Sequence, residues 1–143
     1  MPNFFEINDS LLESLDQDGE RVSIRLRAVR KEFEKDARYP SKHLRQEILL
    51  VLDGAELAID SSNLPSWLIE GSFRSESSDA APDDSGREGT IPASLRSASG
   101  AELVLAGLHE GTGDFVTIRV KAKSLSLETL GEPQPLQYTR ASI

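Results

Sequence analysis

The segment Arg21-Val22-Ser23-Ile24-Arg25-Leu26-Arg27 does most to limit the folds open to this chain. Val22, Ile24 and Leu26 alternate with Arg21, Ser23, Arg25 and Arg27, so an extended backbone sends the apolar set one way and the polar set the other. On a helix the same residues would scatter around the axis. Strict alternation with β-branched members predicts a strand with one buried face.

The signature returns along the chain. Ala101 to Leu108 is strand-like, Glu110-Gly111-Thr112-Gly113-Asp114 supplies a hairpin turn, and Phe115 to Lys121 alternates again with Val116, Ile118 and Val120 inward. Ser124 to Leu130 repeats the pattern through Leu125 and Leu127, and Leu136-Gln137-Tyr138 reads as a last edge segment. Glu47 to Leu52 is apolar on both faces and suits a central strand. Asp53-Gly54 then predicts a two-residue hairpin into Ala55 to Asp60. After Ala28 the phase slips, which predicts a bulge or the end of that strand, and Tyr39-Pro40 stops it from continuing. A short strand is expected over Leu68 to Phe73, with Trp67 in a turn behind Pro65 and more suited to the core than to an interface.

The helical signal is confined to Asp9 to Leu15, where Ser10 and Glu13 have capping-box spacing and Leu11, Leu12 and Leu15 form one face. Together these elements predict an all-β fold, a single-domain antiparallel sandwich or barrel of about six to eight strands with at most one short helix. The domain takes in residues 1–143, and the serine- and aspartate-rich stretch at 74–89 reads as a mobile acidic loop.

Charge is sorted along the chain. Arg21 to Arg45 holds nine of the sixteen Lys and Arg but three of the twenty-four Asp and Glu, a window of +6 in a protein of −8. Arginine forks suit carboxylates and phosphates. The candidate binding residues are therefore Arg21, Arg25, Arg27, Arg30 and Lys31, with Trp67 as an aromatic anchor. The bland alternative is a solvated sheet face neutralised by acidic neighbours across the strands. A pI of about 4.8 and the scarcity of aromatics beside the patch, Phe33 and Tyr39, argue against nucleic acid and for a protein partner.

No catalytic or metal constellation stands out, and no cofactor is expected. The two histidines, His43 and His109, lack metal-ligand spacing, and there is no G-x-S-x-G elbow. Gly111-Thr112-Gly113 precedes a strand rather than a helix, so it is a turn and not a phosphate cradle. Asp79, Asp83, Asp84 and Glu88 lack calcium-loop spacing. Absence of cysteine removes disulfides and thiolate chemistry and fits a reducing compartment. With no apolar run of membrane-span length, a cytoplasmic monomer or homodimer is expected.

The order Asn8-Asp9-Ser10-Leu11, Leu64-Pro65 with Ile69-Glu70-Gly71, Ile91-Pro92, the hairpin Ala101 to Val120 and the terminal run Leu125 to Glu132 resembles a set of small bacterial single-domain β proteins. Some of these are regarded as immunity proteins, which bind and block a toxin. Asn8 stands where that pattern usually has histidine, and the acidic insert departs from it. The resemblance implies no catalytic motif and no site residue. The function expected is non-enzymatic binding of a macromolecule, immunity-like neutralisation of a protein being one version. Phosphate, nucleotide or nucleic-acid binding through 21–45 is the alternative, and a small hydrolase using His43 or His109 ranks third.

Overall fold

A computed structural model of the chain describes residues 3–59, 64–80 and 88–136. Nine strands run in the order β1 (Phe4–Asp18), β2 (Arg21–Glu32), β3 (Lys42–Asp53), β4 (Glu56–Ile59), β5 (Ser66–Arg74), β6 (Ser77–Ser78), β7 (Thr90–Pro92), β8 (Ser97–His109) and β9 (Phe115–Pro135). All pairings are antiparallel within one sheet. Among the described residues there is no helix, so none is long and apolar enough to cross a membrane. The all-β expectation stands, with a sheet larger than the six to eight strands foreseen.

The ladders form a circuit. β1 pairs β2, β2 pairs β3, β3 pairs β9, β9 pairs β8, β8 pairs β5, and β5 returns to β1 through Leu11↔Trp67 and Leu12↔Ser66. Inward-facing Val22, Ile24, Leu26, Ile48, Leu50, Leu52, Leu103, Leu105, Ile118 and Val120 are all essentially inaccessible and form one cluster. Alternation along β2, β3, β8 and β9 thus fills a shared interior, and burying these side chains contributes roughly 1.5–3 kcal/mol each.

The sheet bends along one transverse row. Gly54 lies opposite Lys123 in the continuing β3–β4 register, and Lys123 lies opposite Gly100 on β8. Both glycines have positive φ, 61° and 60°, a conformation that side chains with a Cβ resist. Past this row the buried phase shifts in all three strands: Leu52 gives way to Ala55, Ala122 to Leu125, and Ala98 to Ala101. Each step spans three residues rather than two. Ser124–Leu130 is therefore not a separate strand but the second half of the 21-residue β9.

The predicted Asp53-Gly54 hairpin is not formed. Asp53 pairs Ser124 and Glu56 pairs Lys121, so β4 continues β3 along β9 in the same direction and register. The positive φ of Gly54 serves a bend and not a reversal. The predicted helix over Asp9–Leu15 is also absent, because those residues lie in β1. Its register against β2 slips between Glu6 and Leu11, where Asp9 has φ 68°. Ser10, fully buried, donates to the Glu6 carbonyl at 2.6 Å and accepts the Val29 N–H at 3.0 Å, replacing the ladder bonds that the bulge removes. The irregularity expected after Ala28 thus sits in β1, while β2 keeps an unbroken register with β3 from Val22 to Glu32.

The loop expected at 74–89 is partly strand. Arg74 ends β5, and Ser77 and Ser78 form β6 against β8. Asp79 accepts the N–H groups of Ser97 at 3.0 Å and Arg96 at 2.9 Å, and the Ser97 hydroxyl at 3.4 Å. Asp83 and Asp84 lie outside the described residues, as do Gln137 and Tyr138 of the expected edge segment. β9 ends at Pro135, and the Leu136 N–H bonds the His43 carbonyl at 3.1 Å.

The bend sets one expectation. Gly100→Ala forces a Cβ into the positive-φ region and against the Glu76 side chain, 2.5 Å from its carboxyl carbon, and is expected to lower unfolding stability by about 1–3 kcal/mol in urea titrations. Asp79 sets another. The N–H groups of Ser97 and Arg96 hold its carboxyl below the ordinary aspartate range. A folded pKa below the unfolded one adds stability that is fully present above the unfolded value, about 4, and is lost as pH falls through the folded one. Asp79→Asn is therefore expected to reduce the urea midpoint at pH 7 and to shrink its fall between pH 7 and about pH 3.

Candidate functional site

The basic strand face is ion-paired. On the outside of β2, Arg21 meets Asp53 at 2.7 Å, and Arg25 and Arg27 share Glu13 of β1 and Glu47 of β3 over 2.9–3.7 Å. These carboxylates stand on the strands that flank β2, so the ladder itself brings the charges together. Hydrogen bonding to Asp53, reinforced by its charge, raises the Arg21 pKa above its usual value. Of the six predicted site residues, the structure groups Arg21, Arg25 and Arg27 on one face and separates the other three.

Arg30 turns inward at the mouth of the sheet. Its guanidinium lies 5.6 Å from the Phe5 ring centroid and binds Glu32 at 2.7 Å and the buried Gln46 amide oxygen at 3.1 Å. Gln46 in turn donates to the Gly131 carbonyl at 3.1 Å, bridging the register shift between β3 and β9. Lys31 contacts Glu6 at 3.4 Å and donates to His43 Nδ1 at 2.6 Å. The His109 Nδ1 accepts the Thr112 N–H at 3.1 Å and lies 2.9 Å from its hydroxyl, so this ring fastens the 110–114 turn.

Trp67 is on the surface and not in the core, with 39% of its area exposed. It belongs to β5, where it faces Leu108 of β8, which faces Phe115 of β9. Leu108 and Phe115 are 40% and 51% exposed. Three large apolar side chains thus occupy directly opposed positions on three adjacent strands, and the nearly buried Leu11 of β1 faces Trp67 on the other side. The Arg45 guanidinium packs over the indole at 5.7 Å while donating to the carbonyls of Asp9 and Arg27.

Beyond Trp67 the β5–β8 register shifts at Ile69, which is 46% exposed. Ile69 leads into an open cleft of about 420 Å³, bordered by Glu70, Ser72, Val104 and Ala106 on one side and by Glu6, Asn8, Glu88 and Thr90 on the other.

Leu108 and Phe115 were missed as site residues, though the sequence carried a signal. With Val116, Ile118 and Val120 inward, Phe115 falls out of phase with the buried set, and a large apolar residue out of phase must either be covered or stand in water. Among the described residues no group of three or more His, Asp or Glu is placed to hold a metal, and no buried side-chain polar atom lacks a partner. No protein-family model matches the chain, and neither a curated protein nor a solved structure matches it.

Ion pairs this exposed contribute little, typically about 0–1 kcal/mol each. Glu47→Gln, which removes the 2.9 Å partner of Arg25 and the 3.6 Å partner of Arg27, is expected to cost no more than about 1 kcal/mol in urea, with the difference shrinking in about 1 M NaCl.

Proposed function

We propose that this protein is a non-enzymatic binding module that engages a protein partner through the outer face around Trp67, Leu108 and Phe115. The single observation carrying the reading is their direct opposition on β5, β8 and β9 while exposed. Two aromatics and a leucine in one row are costly to leave in water and have the composition of an interface anchor. A closed β-barrel frame suits such a role, because strands hold side chains more precisely than loops do. Neutralising the partner by covering its working surface, as the immunity-like resemblance implies, is one form of it.

The anion-binding alternative ranks second. With Arg21, Arg25, Arg27, Arg30 and Lys31 each beside a carboxylate, it rests on Lys35, Arg38 and Lys42 around Tyr39, which is 80% exposed. Glu34 and Asp36 share that loop and offset two of the three cations. The hydrolase reading ranks last, since His109 Nδ1 is engaged by Thr112 and His43 Nδ1 by Lys31.

The test compares the protein with a Leu108→Asp, Phe115→Asp variant as bait in extracts of its native cell, after circular dichroism has shown the same β spectrum for both. A stoichiometric protein captured by the parent is expected to be reduced at least about tenfold by the variant. Equal capture by both proteins, or no stoichiometric partner at all, overturns the proposal; binding carried by the 35–42 loop would survive the substitutions.

A further inference from the structure

The carboxylates beside the apolar row, like Asp16, Asp18, Glu56 and Glu128 elsewhere on the sheet, differ from those that face the arginines of β2. Glu6, Glu13, Glu32, Glu47, Asp53 and Glu102 each lie within ion-pair distance of a lysine or arginine. Asp114, which immediately precedes Phe115, Glu110 in the same turn, and Glu70, three residues beyond Trp67, are exposed and form no ion pair among the described residues. Arg45, the cation that touches the row, is committed to the Trp67 ring and to two backbone carbonyls.

From an exposed apolar row with exposed carboxylates beside it we infer that the surface around Trp67, Leu108 and Phe115 receives a basic segment of another protein, one that sets lysines or arginines around apolar side chains. The inference rests on the proposed binding role and adds the partner's chemistry. Apolar side chains of that segment cover the row, while its cations meet Glu70, Glu110 and Asp114. Complementary charge of this kind speeds encounter and rejects partners of the wrong sign. A second copy of this chain is a poorer occupant, because pairing row on row brings two acidic rims together. An acidic segment fails for the same reason.

Trp67 is the only tryptophan in the chain, so its fluorescence reports occupancy of the row directly. The probes are three tryptophan-free synthetic peptides of equal length: one alternating lysine with leucine, one alternating glutamate with leucine, and one alternating lysine with serine. The lysine–leucine peptide is expected to shift Trp67 emission saturably. The other two are expected to bind at least about tenfold more weakly. Glu70→Lys, Glu110→Lys and Asp114→Lys combined, all at exposed positions and checked for folding by circular dichroism, are expected to weaken the lysine–leucine peptide at least about tenfold at about 0.15 M salt.

Equal affinity of the charge-reversed protein, or equal binding of the glutamate–leucine peptide, overturns the inference. If Leu108→Asp with Phe115→Asp still abolishes binding in that case, the apolar binding role stands without it. A saturable signal unaffected by either set of substitutions overturns both. A homodimer in sedimentation that Phe115→Asp dissociates also overturns the inference, since a second copy then covers the row.

Discussion

The bend through Gly54, Lys123 and Gly100 is the constraint from which the remaining architecture follows. A straight 21-residue strand would carry its second half away from the body of the protein. Because β9 turns at this level, its first half lies beside β8 and its second beside β3, with Ser124–Ser126 touching both. That shared strand lets the ladder return on itself, leaving the narrow Leu11–Leu12 contact with Trp67 and Ser66 to complete the circuit. Two backbones at positive φ make the bend possible, and the interior side chains change step together as they cross it.

Closure leaves an outer surface with two different characters. Around β2 the flanking strands supply a carboxylate for each outward arginine, and the electrostatics are settled inside the molecule. Beside the 110–114 turn Leu108 and Phe115 stand exposed, and the nearby Glu110 and Asp114 form no ion pair among the described residues. A chain with net charge −8 repels copies of itself at long range, and its exposed acids are solvated and screened by salt while the protein is alone. In the proposed binding role, these acids act when a segment of the opposite sign arrives.

Much of the fold was legible in the sequence because strand periodicity is local. Val22-Ile24-Leu26 and Val116-Ile118-Val120 declared their buried faces without help from tertiary structure. What local patterns cannot carry is the difference between a glycine that turns a chain back and one that bends it. Asp53-Gly54 has the composition of a hairpin, and only the constant register with β9 across it shows otherwise. Asp9–Leu15 misled for a related reason: a wide bulge inserts residues that break the period of two, and the remaining leucines then imitate a helical face. For the candidate site, the arginines were visible but their partners, Glu13 and Glu47, lie on neighbouring strands that no spacing rule connects. The row of Trp67, Leu108 and Phe115 is likewise spread over three strands, and only Leu108 and Phe115 are near one another in sequence.

The continuity of β3 and β4 along a single partner gives the two residues between them an unusual status. Gly54 and Ala55 count as rungs rather than as a connector, for the pairing resumes at Glu56 as though the strand had never been interrupted. Adding or deleting one residue there would move Leu57 to the opposite side of the sheet. The 33–41 segment joins β2 to β3 around an open end and is free of that arithmetic. Across descendants of this chain, changes in length should accumulate in the second place and be missing from the first.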